Sequence, residues 1–183
     1  MNNVVILLGT QNAGKSKTIK TFFGWQKKTN PHSGTTKDFK IMNIDGRCTP
    51  VFVETHGSPQ EHNYSSTDER VVSDVMKDIK RRLDNIEKTT KWLGLDSFVL
   101  LLPFSIIMKR GKLNESSILK PIEELRKTHN VLIVHLKGGI SGFDKEAEKF
   151  IKNKIETDAT IESEEKYKEQ ANKLKIILKN LVV

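Results

Sequence analysis

The feature that most constrains the fold is a glycine-rich segment that follows a short apolar run near the first residue. Residues 9–18 read GTQNAGKSKT and fit the pattern Gly-x-x-x-x-Gly-Lys-Ser/Thr, directly after the apolar residues 4–8. Glycine tolerates positive φ and has no side chain, so such a loop can turn its N–H groups toward an anion. A strand before the loop and a helix after it are the context that this motif requires. The sequence therefore predicts a phosphate-binding loop, or P-loop, in an α/β domain.

Each position of this loop has an expected role toward a nucleoside triphosphate and Mg²⁺. Backbone N–H groups would hold the phosphates, and Lys15 would reach the β- and γ-phosphates as a catalytic group. The hydroxyl of Ser16 would bind the metal ion, and the following helix would add the positive end of its dipole. The residues of this segment expected to bind nucleotide are Gly9, Thr10, Gln11, Asn12, Ala13, Gly14, Lys15, Ser16 and Lys17.

The composition excludes several classes of protein. The 183 residues suit one domain with a sizeable core, and we expect a single domain over residues 1–183. No apolar run is long enough to span a bilayer, and the first residues lack the basic start and cleavage site of a secretory signal. The one cysteine, Cys48, excludes an internal disulfide, as is usual in a reducing compartment. We therefore expect a cytoplasmic protein without a membrane span.

The charge favours a polyanionic ligand without specifying which one. Lys and Arg number 31 against 23 Asp and Glu, which gives a formal net charge of +8. Such a surface attracts nucleotides, nucleic acid or anionic lipid. The basic residues are spread along the chain and are not interleaved with aromatic residues, so a solvated lysine-rich surface is a simpler interpretation than a nucleic-acid site.

Short apolar runs alternate with helical periodicity along the chain, which is typical of an α/β sheet. The predicted strands are 4–8, 39–44, 51–54, 97–102, 131–134 and 159–161, and the predicted helices are 14–24, 66–92, 115–128, 144–155 and 164–181. Asp45-Gly46 between the second and third strands indicates an antiparallel hairpin. The arrangement resembles the three-layer fold of the P-loop NTPases, with a mostly parallel sheet, one antiparallel hairpin strand and helices on both faces.

The segment after the third strand makes this resemblance more specific. Residues 54–61 read ETHGSPQE, which is similar to the Asp-x-x-Gly followed by Gln-Glu of the Ras-like small GTPases. The order of elements also resembles that family, from the P-loop through a threonine-bearing loop and a hairpin to a C-terminal helix. In the family, the aspartate holds the Mg²⁺ shell through water, the glycine meets the γ-phosphate and the glutamine positions the attacking water.

The resemblance implies roles for residues outside the P-loop. Glu54 would stand for the aspartate, as a catalytic and metal-binding group, and Gly57 would stand for the glycine at the γ-phosphate. Gln60 would stand for the catalytic glutamine. Thr35 or Thr36 would complete the Mg²⁺ shell, as the threonine of the first switch loop does in that family.

Three features differ from the family pattern. Glutamate replaces aspartate at the metal-site position, and two extra residues precede Gln60, so that His56 or Glu61 could orient the water instead. The guanine-reading Asn-Lys-x-Asp is absent after the strand 131–134, where the chain reads HLKGG. Lys137 in this segment would still lie along the base or ribose. The residues leave ATP or GTP open. ATP is slightly preferred because it is the commoner ligand of P-loops and the guanine motif is absent, whereas the order of elements favours GTP.

The favoured interpretation is a slow Mg²⁺-dependent NTPase that acts as a nucleotide switch. The loops 26–37 and 54–66 would be ordered by the γ-phosphate and released by hydrolysis. The same loops would be the surface for a protein effector.

Two other functions stay open on the sequence alone. One is a P-loop kinase for a small-molecule or nucleotide acceptor, in which Glu54 would be the base or bind the acceptor. Its lid would contain Lys109, Arg110 and Lys112. The other is a non-catalytic nucleotide- or nucleic-acid-binding module, and the basic patch expected for it consists of Lys77, Lys80, Arg81 and Lys88.

Overall fold

Strands and helices alternate along the described part of the chain. The computed structural model describes residues 3–10, 13–22, 39–44, 47–54, 76, 77, 80, 81, 83, 84, 86–88, 91, 92, 94, 99–106, 115–137, 144–162 and 166–182. The strands are β1 (Asn3–Thr10), β2 (Phe39–Ile44), β3 (Arg47–Glu54), β4 (Val99–Ile106), β5 (Asn130–Lys137) and β6 (Ala159–Glu162). The helices are α1 (Lys15–Phe22), α2 (Glu115–Arg126), α3 (Asp144–Lys154) and α4 (Tyr167–Val182). All but one of the described residues between 76 and 94 are also helical, the exception being Gly94.

The described strands form one sheet in the order β2-β3-β4-β1-β5-β6. β1 lies inside the sheet and pairs in parallel with β4 and β5. β3 pairs in parallel with β4, and β6 with β5, whereas β2 runs antiparallel to β3 at one edge. These observations confirm the predicted α/β class. The turn at Asp45-Gly46 lies outside the described residues.

Strand β1 is buried on both faces because its residues alternate between two apolar cores. Val4, Ile6 and Leu8 pack into one core, together with residues of α2 and α3. Val5 and Leu7 pack into the other core, together with residues of α1 and α4. A continuous apolar run is what a parallel strand between two layers of helices requires. Helices therefore cover both faces of the sheet, as the sequence predicts.

Five of the strands are longer than predicted, and in β4 and β3 the added residues continue the pairing with a neighbour. β4 extends past residue 102 to Ile106, in register with β1 over its whole length. Pro103 lies in this extension and has no N–H to donate. Pairing of β4 with β3 ends at Leu101 among the described residues, so the missing donor falls where β4 has a single described neighbour. β3 likewise begins before its predicted start, at Arg47, because it pairs with β2 there.

The ends of the helices follow the backbone conformation of their flanking residues. The helix predicted from residue 14 begins at Lys15, because Gly14 has a φ of +83° and cannot be part of an α-helix. The predicted loop 26–37 and the predicted helix start at residue 66 lie outside the described residues. No helix in the described part of the chain combines the length and the hydropathy needed to cross a membrane.

A buried hydrogen bond joins the first helix to the last. The hydroxyl Oγ1 of Thr18 donates to Oε1 of Gln170 at 2.8 Å, and both residues are fully buried. They lie in the core that α1 and α4 share with β1. Since a buried polar group needs a partner, this pair fixes how α4 packs against the helix that follows the P-loop.

We expect Gln170→Leu to lower the free energy of unfolding by about 1–3 kcal/mol, because Thr18 loses its buried acceptor. The double variant Thr18→Val/Gln170→Leu should lose less than the sum of the two single variants, because each single variant already removes the hydrogen bond that the two residues share. Urea denaturation of the four proteins measures this coupling. If the stability losses of the two single variants add up to the loss of the double variant, the hydrogen bond makes no specific contribution to the free energy of unfolding.

Candidate functional site

The glycine-rich segment lies at the carboxyl end of β1, where the strand order reverses. In the sheet, β4 lies on one side of β1 and β5 lies on the other. In open α/β sheets, ligands bind at such a switch point, outside the carboxyl ends of the strands. The predicted P-loop therefore occupies the position in the sheet where a binding site is expected.

The described part of the loop is a tight turn that leads directly into α1. The N–H of Ala13 donates to the carbonyl oxygen of Thr10 at 3.2 Å, and the N–H of Thr18 donates to that of Gly14 at 2.9 Å. The positive φ of Gly14 lies in the left-handed region, which a residue with a Cβ adopts only with strain. Gln11 and Asn12 lie outside the described residues.

Two backbone carbonyl groups hold the ammonium group of Lys15. Its Nζ donates to the carbonyl oxygen of Gly9 at 3.2 Å and also to that of Thr10. The residue is 2% exposed. A buried cation is costly unless hydrogen bonds or an anion compensate for its lost hydration. The loop thus holds a positive charge across its own turn, and this arrangement suits an anionic ligand.

Glycine is required at position 9 because there is no room for a side chain, and not because of its backbone conformation. A Cβ at this position would lie 2.7 Å from the carbonyl oxygen of Leu136 and 3.2 Å from the Cβ of Ala13. The oxygen belongs to the backbone of β5 and cannot move without disturbing the sheet. The first glycine of the motif therefore lets β5 and the P-loop approach each other closely.

A tyrosine from the last helix packs against the described part of the loop. Tyr167 is the first residue of α4, and its Cε1 would lie 2.8 Å from a Cβ on Gly14. The Nζ of Lys17 lies 5.2 Å from the centre of the same ring. The sequence placed Tyr167 only on the apolar face of the last helix. Nothing in the local sequence indicates this contact, because it depends on how α4 packs against α1.

The carboxyl ends of the parallel strands bring two other predicted residues to the same edge of the sheet. Glu54 is the last residue of β3, and Lys137 is the last residue of β5. The side chain of Lys137 is exposed, with its Nζ 3.9 Å from Oε1 of Glu162 at the end of β6. An exposed ion pair of this length contributes little to stability, so Lys137 remains available at the edge of the site.

The other predicted site residues lie outside the described residues. These are Thr35, Thr36, His56, Gly57, Gln60 and Glu61, and the basic residues of the lid expected for a kinase, Lys109, Arg110 and Lys112. The backbone of Ser16 lies in the first turn of α1, as predicted. The roles of these side chains therefore stay predictions.

The basic patch expected for a nucleic-acid-binding module has mixed charge. Lys77, Lys80, Arg81 and Lys88 are all exposed on the helical residues between 76 and 92. Asp84 and Glu87 are exposed on the same segment. Acidic residues at these spacings offset neighbouring basic ones on a helix surface.

A buried histidine and a partly buried glutamate lie near the end of β1 and were not predicted from the sequence. His135 on β5 pairs in register with Leu8, just before the P-loop, and its Nε2 lies 2.8 Å from Oε2 of Glu148 on α3. Among the described residues, Nε2 of His135 and both carboxylate oxygens of Glu148 are buried and have no assigned hydrogen-bond partner. Burial lowers the pKa of His135 below its usual 6.5, and the attraction of Glu148 offsets this only in part.

The lowered pKa of His135 predicts a loss of stability in mild acid. As the pH falls below 6.5, the unfolded chain binds a proton at this position before the folded protein does. The free energy of unfolding should then fall by at most about 1.4 kcal/mol per pH unit, until the pKa of the folded state is reached. Above pH 6.5 this contribution is complete.

Urea denaturation across this pH range, on the wild type and on His135→Gln, checks the prediction. The variant should show the shallower dependence on pH, whatever its absolute stability. Parallel curves for the two proteins would contradict the assignment to His135.

The fold and the loop define an α/β nucleotide-binding protein with a P-loop between an inner strand and the first helix. The chain belongs to the family described as 50S ribosome-binding GTPase, which matches residues 4–179. This match confirms the resemblance to the P-loop GTPases.

One solved structure is similar over almost the full length of both chains. It is described as "Crystal structure of APE1195", and the similarity covers 100% of this chain and 97% of that chain, with 14% sequence identity and a TM-score of 0.44. No curated protein matches the sequence significantly.

Proposed function

We propose that this protein binds Mg²⁺ and GTP at residues 9–17, hydrolyses the nucleotide slowly and acts as a switch. The observation that carries the proposal is the ammonium group of Lys15, held across the turn by the carbonyls of Gly9 and Thr10. This buried charge lies at the N-terminus of α1 and at the carboxyl end of an inner strand. Backbone dipole and side chain thus offer positive potential at one point, as the phosphates of a nucleotide require.

The residues present fit a magnesium ion beside the phosphates. Mg²⁺ prefers oxygen ligands and keeps several waters, so that one or two protein groups suffice. Ser16 lies in the first turn of α1 and has a hydroxyl, and Glu54 ends β3 at the same edge of the sheet and has a carboxylate. When bound, the ion would neutralise charge on the β- and γ-phosphates. Thr35 or Thr36 would complete its shell from the loop 26–37.

Membership of a GTPase family supports GTP as the nucleotide. This outweighs the slight preference for ATP, which rests on the absence of the guanine-reading motif and on ATP being the commoner ligand of P-loops. Lys137 at the end of β5 lies along the base or ribose in this proposal. Residues 1–183 act as one domain, with effectors bound through the loops 26–37 and 54–66.

Phosphate release under single-turnover conditions tests the proposal. We expect Mg²⁺-dependent release from GTP at roughly 10⁻⁴ to 10⁻² per second, the range of related enzymes without an activating partner. ATP should be hydrolysed more slowly. Hydrolysis of neither nucleotide would contradict the hydrolase, and GDP formed only when an acceptor is added would show a kinase instead.

A second candidate function is binding to ribosomal RNA, favoured by the surface of α4. Lys168, Lys175 and Lys179 recur at spacings of one helical face, and all three are exposed. Glu169 is the single acidic residue in this helix. The family description names binding to the 50S ribosomal subunit, whose RNA presents the phosphates that such a face attracts.

The dependence of RNA binding on salt tests this candidate. The affinity for 50S subunits should fall steeply as the salt concentration rises. In a plot of the logarithm of the affinity against the logarithm of the salt concentration, Lys168→Ala/Lys175→Ala should make the slope less steep by about 1 to 2. Lys149→Ala/Lys152→Ala on α3, at the opposite face of the sheet, is the matched control. Equal slopes for all three proteins would exclude α4 as the RNA-binding surface.

A further inference from the structure

The ring of Tyr167 lies edge-on against the second glycine of the P-loop. A Cβ built on Gly14 would lie 2.8 Å from Cε1 of the ring, 3.6 Å from Cδ1 and 3.8 Å from Cζ. Tyr167 is only partly buried. One edge of the ring therefore contacts the loop while part of its surface stays open to solvent.

Lys17 places a second group beside the same ring. Its Nζ lies 5.2 Å from the ring centre, within the range of a cation–π contact. Lys17 is exposed and lies in the first turn of α1. An aromatic surface and a cation thus lie together on the helix side of the loop.

The position of the ring is fixed by the packing of the two helices. Thr18 follows Lys17 on α1, Gln170 lies one turn after Tyr167 on α4, and the two share the buried 2.8 Å hydrogen bond. A side chain held by such packing loses little further freedom when it contacts a ligand. Tyr167 is therefore preorganised next to the loop.

The orientation of a bound nucleotide decides which of its parts lies near the ring of Tyr167. In this motif the lysine reaches the β- and γ-phosphates and the hydroxyl residue binds the metal ion. With Lys15 and Ser16 in those roles, the α-phosphate and the nucleoside leave the loop at the other end of the phosphate chain. Among the described residues, Tyr167 is the aromatic side chain that borders the loop.

We propose that Tyr167 contacts the nucleoside of the bound nucleotide, with Lys17 next to the α-phosphate. The inference rests on the proposed function, since it assigns a contact within that site. Every base has an apolar face that can rest on an aromatic ring. Tyr167 therefore strengthens binding of any nucleoside and does not select guanine over adenine.

The experiment compares a nucleotide with a phosphate chain that has no nucleoside. Binding of GDP and of tripolyphosphate, each with Mg²⁺, is measured by calorimetry on the wild type, Tyr167→Phe and Tyr167→Leu. Loss of the ring in Tyr167→Leu should raise the Kd for GDP by about tenfold. The Kd for tripolyphosphate should change by less than about twofold, and Tyr167→Phe should behave as the wild type.

A matched control separates this contact from general loosening of the helix. Ile177→Ala removes a partly buried side chain of α4 away from the loop, and both Kd values should stay near those of the wild type. Equal weakening of GDP and tripolyphosphate in Tyr167→Leu would overturn the inference, because the ring would then only position the loop. Unchanged GDP binding would overturn it as well.

The same experiment distinguishes failure of this inference from failure of the proposed function. A wild type that binds tripolyphosphate but no GDP or GTP contradicts both. A wild type that binds GDP, with Tyr167→Leu equally tight, contradicts the nucleoside contact alone.

Discussion

Lys15→Ala should weaken the binding of GTP with Mg²⁺ by about a hundredfold or more, because it removes the cation that compensates the buried phosphate charge. The ammonium group is buried and fixed by the carbonyls of Gly9 and Thr10. Competition against a fluorescent GTP analogue, followed by fluorescence polarisation, measures the loss.

Lys20→Ala is the matched control for this variant. Lys20 lies on the same helix, in its last turn, away from the loop. Its removal should leave the Kd within about twofold of the wild type. If Lys15→Ala is folded and binds GTP as tightly as Lys20→Ala, the loop is not the nucleotide site.

Gly9→Ala should lower the free energy of unfolding by about 2–3 kcal/mol, because the new methyl group meets the backbone of β5. The nearest atom, the carbonyl oxygen of Leu136, would lie 2.7 Å from the added Cβ. Relief of this contact would separate β5 from the P-loop, so nucleotide binding should weaken too. Urea denaturation and the GTP competition assay measure the two effects.

Gly94→Ala provides a control in which only the backbone conformation is unfavourable. Gly94 has a φ of +73°, but no atom of the described residues lies within 4 Å of a Cβ built there. Its substitution should cost about 1 kcal/mol and leave nucleotide binding unchanged. If Gly9→Ala is no less stable than Gly94→Ala, the close approach of the P-loop and β5 does not exclude a side chain at position 9.

The segment from β1 to α1 could be predicted because its determinants are local. The apolar run 4–8 has no polar alternation, so it needs a parallel strand with cover on both faces. The glycines of the motif then place the loop and start the helix. Lys15 follows from its position in the motif, and the residue is buried. Its role toward the phosphates stays a prediction.

The residues that fix the site from other elements could not be predicted in the same way. Tyr167, Gln170 and His135 lie far from the loop in sequence. The packing of α4 brings Tyr167 to Gly14 and Gln170 to Thr18, and the register of β5 brings His135 beside Leu8. In the sequence, His135 is one polar residue at the end of an apolar run. Its contact with Glu148 depends on where α3 crosses the sheet, which no local pattern specifies.

The lengths of the strands also depend on tertiary pairing that the local sequence does not specify. The predicted strand ends at residue 102, and Pro103 directly after it is a local signal against a continuing strand. In the sheet, β4 continues to Ile106 because β1 pairs with it throughout. Tertiary pairing therefore overrides a local signal when one neighbour supplies all the hydrogen bonds that the strand needs.

The central claim is that residues 9–17 bind GTP together with Mg²⁺, and a calorimetric titration of the wild type tests it most directly. GTP and ATP are each titrated with Mg²⁺ and with EDTA in its place. We expect GTP to bind at least about tenfold more tightly with Mg²⁺ than without it, and more tightly than ATP. Absence of binding by both nucleotides under both conditions would contradict the account.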